Sequence, residues 1–205
     1  MKTRKINKLS YGVGVNDADY YVFPSGGVKC VFYSVWHDML KRCYSDKFQN
    51  ESPTYIGCSV CDEWLLFSNF KKWMEKKDFE CKQLDKDLKI EGNKVYSPNT
   101  CMFVSGAINS LLNDNAGKRG IYPQGVTFRS CKGKYRASVT FGGKPKHLGY
   151  YTTIKPAELA YLTAKHEIVL QAAKDETDKE VSAALYMQAK LILDKHNTLK
   201  QGSDY

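Results

Sequence analysis

No stretch of this chain approaches the roughly 18 consecutive apolar residues that a membrane span needs, and Met1 to Ile6 lack the apolar run of a signal peptide. The expected setting is therefore the cytoplasm. Histidine is scarce, with only His37, His147, His166 and His196, all far apart in sequence. Cysteine is odd in number, and Cys30, Cys43, Cys58, Cys61, Cys81, Cys101 and Cys131 do not form the paired framework of a small secreted domain. Reduced thiols are the expectation. Cys58-Ser-Val-Cys61 has the spacing of half a zinc knuckle, but no second CxxC exists. Cys58 and Cys61 are thus candidate Zn2+ ligands only if Cys43, Cys81 or Cys101 completes the set, the alternative being small buried thiols.

Acidic residues are missing from one segment altogether. From Asn115 to Ala157 there are nine basic residues and no acidic one, namely Lys118, Arg119, Arg129, Lys132, Lys134, Arg136, Lys144, Lys146 and Lys155. The net charge of +9 lies entirely there, since 22 cationic and 22 anionic residues share the rest of the 205-residue chain. A surplus confined to one segment is the footprint of a polyanion partner, whereas an even spread would speak only for solubility.

What is present is enough to build a core, with 42% hydrophobic and 13% aromatic residues. Tyr11-Gly-Val-Gly lacks the GxGxxG spacing of a phosphate loop and reads as turns and short strands. Trp36, Met39, Leu40 and Cys43 recur at helical spacing, which predicts a helix over Ser34 to Tyr44. Asp62 is placed to cap a second helix carrying Trp64, Phe67, Phe70, Trp73 and Met74. Leu84 to Leu88 reads as a strand, Glu91 to Lys94 as its turn, and Ser97-Pro98 as the start of a helix. Ser105 can cap a short helix through Leu111. The stretch Asn113 to Gly120 has linker composition.

Beyond it, Gly125 to Arg129, Lys134 to Phe141 and His147 to Tyr151 predict a three-stranded meander. Alternation turns Tyr135, Ala137, Val139 and Phe141 one way and Lys134, Arg136, Ser138 and Thr140 the other, with Val126 and Phe128 joining the apolar face. Pro156 opens a predicted helix with a stripe of Ala157, Ala160, Tyr161, Ala164 and Ile168. The capping box Thr177-Asp-Lys-Glu180 opens a last helix through Val181, Ala184, Leu185 and Ile192. On the polar face, Arg129 and Arg136 are candidates for guanine edges. Lys132, Lys134, Lys144 and Lys146 are candidates for phosphates, and the partner is double-stranded DNA.

The set Gly125-Val126, Gly133-Lys134-Tyr135-Arg136-Ala137, His147-Leu148-Gly149-Tyr150 and Ala157-Glu-Leu-Ala160-Tyr161 resembles the plant ethylene-response-factor type of DNA-binding domain over about 45 residues. Motifs nearly throughout the chain are similar to bacteriophage HNH-type homing endonucleases that carry an Apetala-like DNA-binding domain. These are Trp36 through Arg42-Cys-Tyr44, Thr54-Tyr-Ile-Gly-Cys58, Leu84-Asp-Lys-Asp87, Gly92-Asn-Lys-Val-Tyr-Ser-Pro98 and Cys101-Met-Phe-Val104, with Tyr11-Gly-Val-Gly.

That resemblance implies an α+β chain in a host bacterial cell. It implies an HNH-like nuclease-related domain over 1–114 with its ββα-metal fold at about 84–112, a linker over 115–120, an Apetala-type domain over 121–174, and a C-terminal helix and tail over 175–205. It also implies a metal-dependent endonuclease with Asp85 as ligand to Mg2+ or Mn2+. Lys86 stands where that chemistry wants a histidine base, and its neighbours Asp85 and Asp87 favour the charged ammonium. Asp87 is a second candidate ligand, Asn93 matches the family's central asparagine, and Thr100 or Asn99 holds the later ligand position. The competing expectation is a nuclease-derived DNA-binding regulator that does not cut. A third is a factor contacting a host protein through the last helix, around Val181 to Ile192.

Overall fold

The computed structural model describes residues 9–23, 27–113 and 120–202, an α+β arrangement with six α-helices among the described residues. The chain forms two compact units: Met1–Glu80 with Leu84–Phe103, and Cys81–Gln83 with Val104–Tyr205. The expected linker at 115–120 lies, except for Gly120, outside the described residues, as do Lys118 and Arg119.

In the first unit, helix α1 (Val31–Tyr44) starts three residues before the expected Ser34, whose hydroxyl instead donates to the Cys30 carbonyl at 3.0 Å. A short α2 (Asp46–Glu51) follows, capped by the Ser45 hydroxyl, and then strand β1 (Ser59–Val60). The expected second helix is split. Asp62–Leu65 forms a 3-10 turn, and α3 (Phe67–Met74) begins after Leu66 without any side-chain cap, so Asp62 is not its cap.

The break has a cause in pairing. Val15 bridges Leu66 in parallel, with its amide donating to the Leu65 carbonyl and its carbonyl accepting from the Phe67 amide, which holds Leu66 extended. Trp36, Trp64, Phe67, Phe70 and Met74 are fully buried, and the Trp36 indole donates to the Trp64 carbonyl at 2.7 Å. Tyr11 to Gly14 forms the expected turns, and a Cβ on Gly14 would meet Leu40 at 2.3 Å. That glycine is a packing device under α1.

Strand β2 (Lys82–Asp85) is shorter than expected and ends at Asp85. The predicted hairpin running into a helix does not form. Strand β3 (Val95–Tyr96) pairs in parallel with β1, β2 pairs with β4 (Met102–Ser105), and Ser97 to Thr100 is a single turn. The Ser97 hydroxyl is bonded to Thr100 Oγ1 at 2.9 Å, so it caps nothing, and the Cys101 amide closes the turn on the Ser97 carbonyl. The next helix is α4 (Gly106–Leu112), which Ser105 caps as expected.

The second unit contains the expected meander: β5 (Val126–Arg129), β6 (Lys134–Phe141) and β7 (Lys144–Tyr151), antiparallel in the order β5-β6-β7. β7 starts three residues earlier than expected. Helix α5 (Ile154–Asp175) starts two residues before Pro156, which sits in its first turn where no amide donor is required. Ala157, Val126 and Ala137 form the buried contact between helix and sheet, flanked by Tyr135, Leu148 and Tyr151. Phe128 and Phe141, expected inside, are 42% and 36% exposed, each within one residue of a strand end. The Phe128 ring still packs on Tyr135 at 5.1 Å.

Helix α6 (Lys179–Gln201) folds back along α5, as Ser182 Oγ to Ala173 O, His166 Nδ1 with Ala189 O, and Lys195 with Glu158 show. Asp178 caps it, accepting from the Glu180 and Val181 amides, so the expected Thr177 capping box gives way to its neighbour. Val181, Ala184, Leu185, Ala189 and Ile192 are buried. The apolar stripe of this helix thus packs inward, while Tyr186, Met187 and Leu191 on the segment expected to contact a host protein are exposed.

Gly125 fixes how α5 meets the sheet. Its φ is +78°, and a Cβ there would lie 2.0 Å from the Tyr161 ring. Gly125→Ala should lose about 2–5 kcal/mol, combining roughly 1–2 for a left-handed L-residue with about 1–3 for overpacking. Gly142, at φ +57° with open space around it, should lose only the first part on the same change. Urea unfolding of the two variants checks this, and equal losses would refute the close-approach account.

Candidate functional site

The residues expected to carry nuclease chemistry occupy one short loop. Asp85 ends β2, and its Oδ1 accepts from the Asp87 amide at 2.9 Å and the Leu88 amide at 2.6 Å. The carboxylate thus caps the turn that follows it. Burial raises its pKa above the ordinary 3.8, with Asp87 adding to the shift and the two amides opposing it.

Lys86 is only 6% exposed, and its ammonium donates to Asp87 Oδ1 at 2.6 Å and to the Asn93 carbonyl at 2.6 Å. The ammonium also lies 6.0 Å from the centre of the Tyr96 ring. Asn93 returns the contact: its Nδ2 donates to the Lys86 carbonyl at 2.9 Å and the Val95 carbonyl at 2.7 Å, while its Oδ1 accepts from the Val95 amide. Thr100 Oγ1 donates to the Val95 carbonyl at 2.7 Å, and Asn99 is exposed.

The loop brings Asp85, Lys86, Asp87 and Asn93 together, but these contacts tie it to itself. A divalent ion wants several free oxygen ligands. Here the lysine ammonium stands against Asp87, and among the described residues no group of three or more His, Cys, Asp or Glu converges as metal ligands would. These contacts occupy Oδ1 of both Asp85 and Asp87. His37 packs against Tyr11 and Tyr33, with ring centres at 4.9 and 5.7 Å, and burial lowers its pKa.

Cys58 and Cys61 flank β1 without a completed zinc set among the described residues. Burial raises the Cys61 pKa and pushes Cys43 and Cys101 up to about 12.

The other candidate surface is the face of β5–β7 away from α5. Paired residues share a face, so the rows Arg129 with Lys134, Thr127 with Arg136 and Tyr150, and Ser138 with His147 stand on the outer side. Lys144 is opposite Phe141 and Lys146 opposite Val139, which puts both lysines on the α5 side at its far end. A bulge at Leu148 shifts the register between Ala137 and Ser138. It lets His147 and Tyr150, three residues apart, share the outer face, where their rings lie 4.6 Å apart.

Lys132, in the 3-10 turn Ser130–Lys132, lays its ammonium 3.9 Å over the Tyr150 ring. None of Arg129, Lys132, Lys134, Arg136, Lys144 or Lys146 has a carboxylate in ion-pair reach among the described residues, whereas Lys71, Lys82 and Lys195 all do. Sequence alternation found the arginines but missed Tyr150 and His147. Gly149 in mid-strand was the one signal for the bulge.

Neither the models of known protein families, nor the curated proteins, nor the solved structures contain a match to this chain. Among the described residues, no helix is long and apolar enough to cross a membrane.

The Asp85 loop yields a pH test. A carboxyl whose folded pKa is raised favours the folded state at low pH, and that contribution is lost as pH rises from 3.8 through the raised value. Asp85→Asn keeps an oxygen for the two amides without the charge. The variant should equal or exceed the wild type in stability at neutral pH and lose that advantage in acid, as urea unfolding at the two conditions reads. A large loss at neutral pH would mean that the charge itself is needed.

Proposed function

We propose that this protein binds double-stranded DNA through the outer face of β5–β7, and that it does so without cutting. One observation carries the reading: Arg129, Lys134 and Arg136 stand together on an exposed sheet face with no carboxylate partner among the described residues. Three strands spaced about 4.8 Å apart make a ribbon roughly 10 Å across, which suits a major groove about 12 Å wide.

Arg136, on the central strand, is the candidate for a guanine edge, because a guanidinium bonds base acceptors in pairs. Arg129, Lys134 and Lys132 line the same side and serve phosphates, as Lys144 and Lys146 do from the rim. Cleavage by ββα-metal chemistry would need a base and a metal-holding carboxylate. The internally bonded Lys86 and Asp85 argue for neither role.

The test is fluorescence anisotropy on a mixed-sequence duplex pool and on the site selected from it, across a salt series. With three to six phosphates neutralised, log K against log salt should fall with a slope of about −3 to −5. Arg136→Ala should relax discrimination at one base pair by about 1–3 kcal/mol. Lys134→Ala should weaken all sequences alike. No salt-dependent binding would sink the reading. Nicking of supercoiled DNA with Mg2+ or Mn2+, abolished by chelator and by Asp85→Ala, would replace it with a nuclease.

A further inference from the structure

We infer that Tyr150 is a positioning residue of this interface, whose ring seats Lys132 over the outer sheet face as a preorganised phosphate contact. The inference rests on the duplex-binding reading and deepens it.

Lys132 belongs to the connection between β5 and β6, a place from which a long side chain ordinarily ranges through solvent. The 3-10 turn Ser130–Lys132 ends at Gly133, in the left-handed conformation at φ +59°, and the Gly133 amide closes it on the Ser130 carbonyl. That geometry starts the lysine side chain near the edge of the sheet. Tyr150 stands on β7 directly across from Arg136 and is 38% exposed. The Lys132 ammonium lies 3.9 Å from its ring centre, and no carboxylate competes for it among the described residues.

His147 braces the ring on the same face, its centre 4.6 Å away at 57°. The result is a row in which Thr127, Arg136 and Tyr150 cross the sheet, with the Lys132 charge laid over the last of them. A cation held over a ring keeps the N–H donors on its far side free, so Lys132 can meet a phosphate with its side-chain rotation already restricted. The ring itself is the seat, and its hydroxyl is not required.

The full-length chain tests this with a mixed-sequence duplex and a salt series on four variants. Tyr150→Leu should weaken binding about two- to fivefold, the worth of an exposed cation–π contact, and should flatten the salt slope by about one. Lys132→Ala should flatten the slope equally, and the double variant should be no worse than Lys132→Ala alone. Tyr150→Phe should bind as the wild type does. A wild-type slope for Tyr150→Leu, or additive losses in the double variant, would overturn the inference.

A second readout does not depend on DNA. The Lys132 side-chain methylene protons should show an upfield ring-current shift by NMR, lost in Tyr150→Leu and kept in Tyr150→Phe. If the wild type fails to bind duplex, the duplex reading falls and the phosphate role falls with it. An absent ring-current shift in a chain that does bind overturns the seat alone.

Discussion

The approach of α5 to the sheet at Gly125 governs the second unit. With no side chain at Gly125, the Tyr161 ring can lie against the backbone at the start of β5, and Ala157 can close on Val126 and Ala137. One face of the meander is then sealed by small, well-fitted residues. The polar rows of β5–β7, Lys144 and Lys146 apart, are left on the other side, and the hairpin of α5 and α6 stacks behind the sheet. A bulkier residue at that point would lift the helix and expose apolar surface on the face meant to be dry.

The first unit depends on a different constraint, the need of buried polar groups for partners. Lys86 is deeply buried, and it is tolerated because Asp87, the Asn93 carbonyl and the Tyr96 ring surround its ammonium. Asp85 answers two amides at once. Asp85, Lys86 and Asn93 thereby hold the loop together.

The sequence made some of this legible and hid the rest for identifiable reasons. Helices with strong apolar spacing, such as α1, α5 and α6, were readable to within a few residues, and so were the three strands of the meander, though only β5 and β6 alternate cleanly. What failed were the places where tertiary pairing overrides a local signal. Asp62 and Ser97-Pro98 carry the chemistry of helix starts, yet Leu66 is drawn into a bridge with Val15, and Ser97 spends its hydroxyl on Thr100. Asp85, Lys86 and Asn93 share one loop. Which partners they would choose was invisible, because carbonyl and amide contacts seven residues apart leave no mark on spacing.

The bulge at Leu148 has a consequence for charge. Strand alternation is a phase, and one additional residue inverts it for everything upstream on the same strand. Without the inversion, Lys144 and Lys146 would join Arg136 and Lys134, and His147 would turn toward the helix side. The insertion therefore works as a dial on the polarity of the sheet: it moves two positive charges from the flat of the ribbon to its rim and puts a pair of rings in the middle. A face so arranged presents a compact central grip with a softer cationic border, and one residue of strand length separates it from a uniformly basic plate.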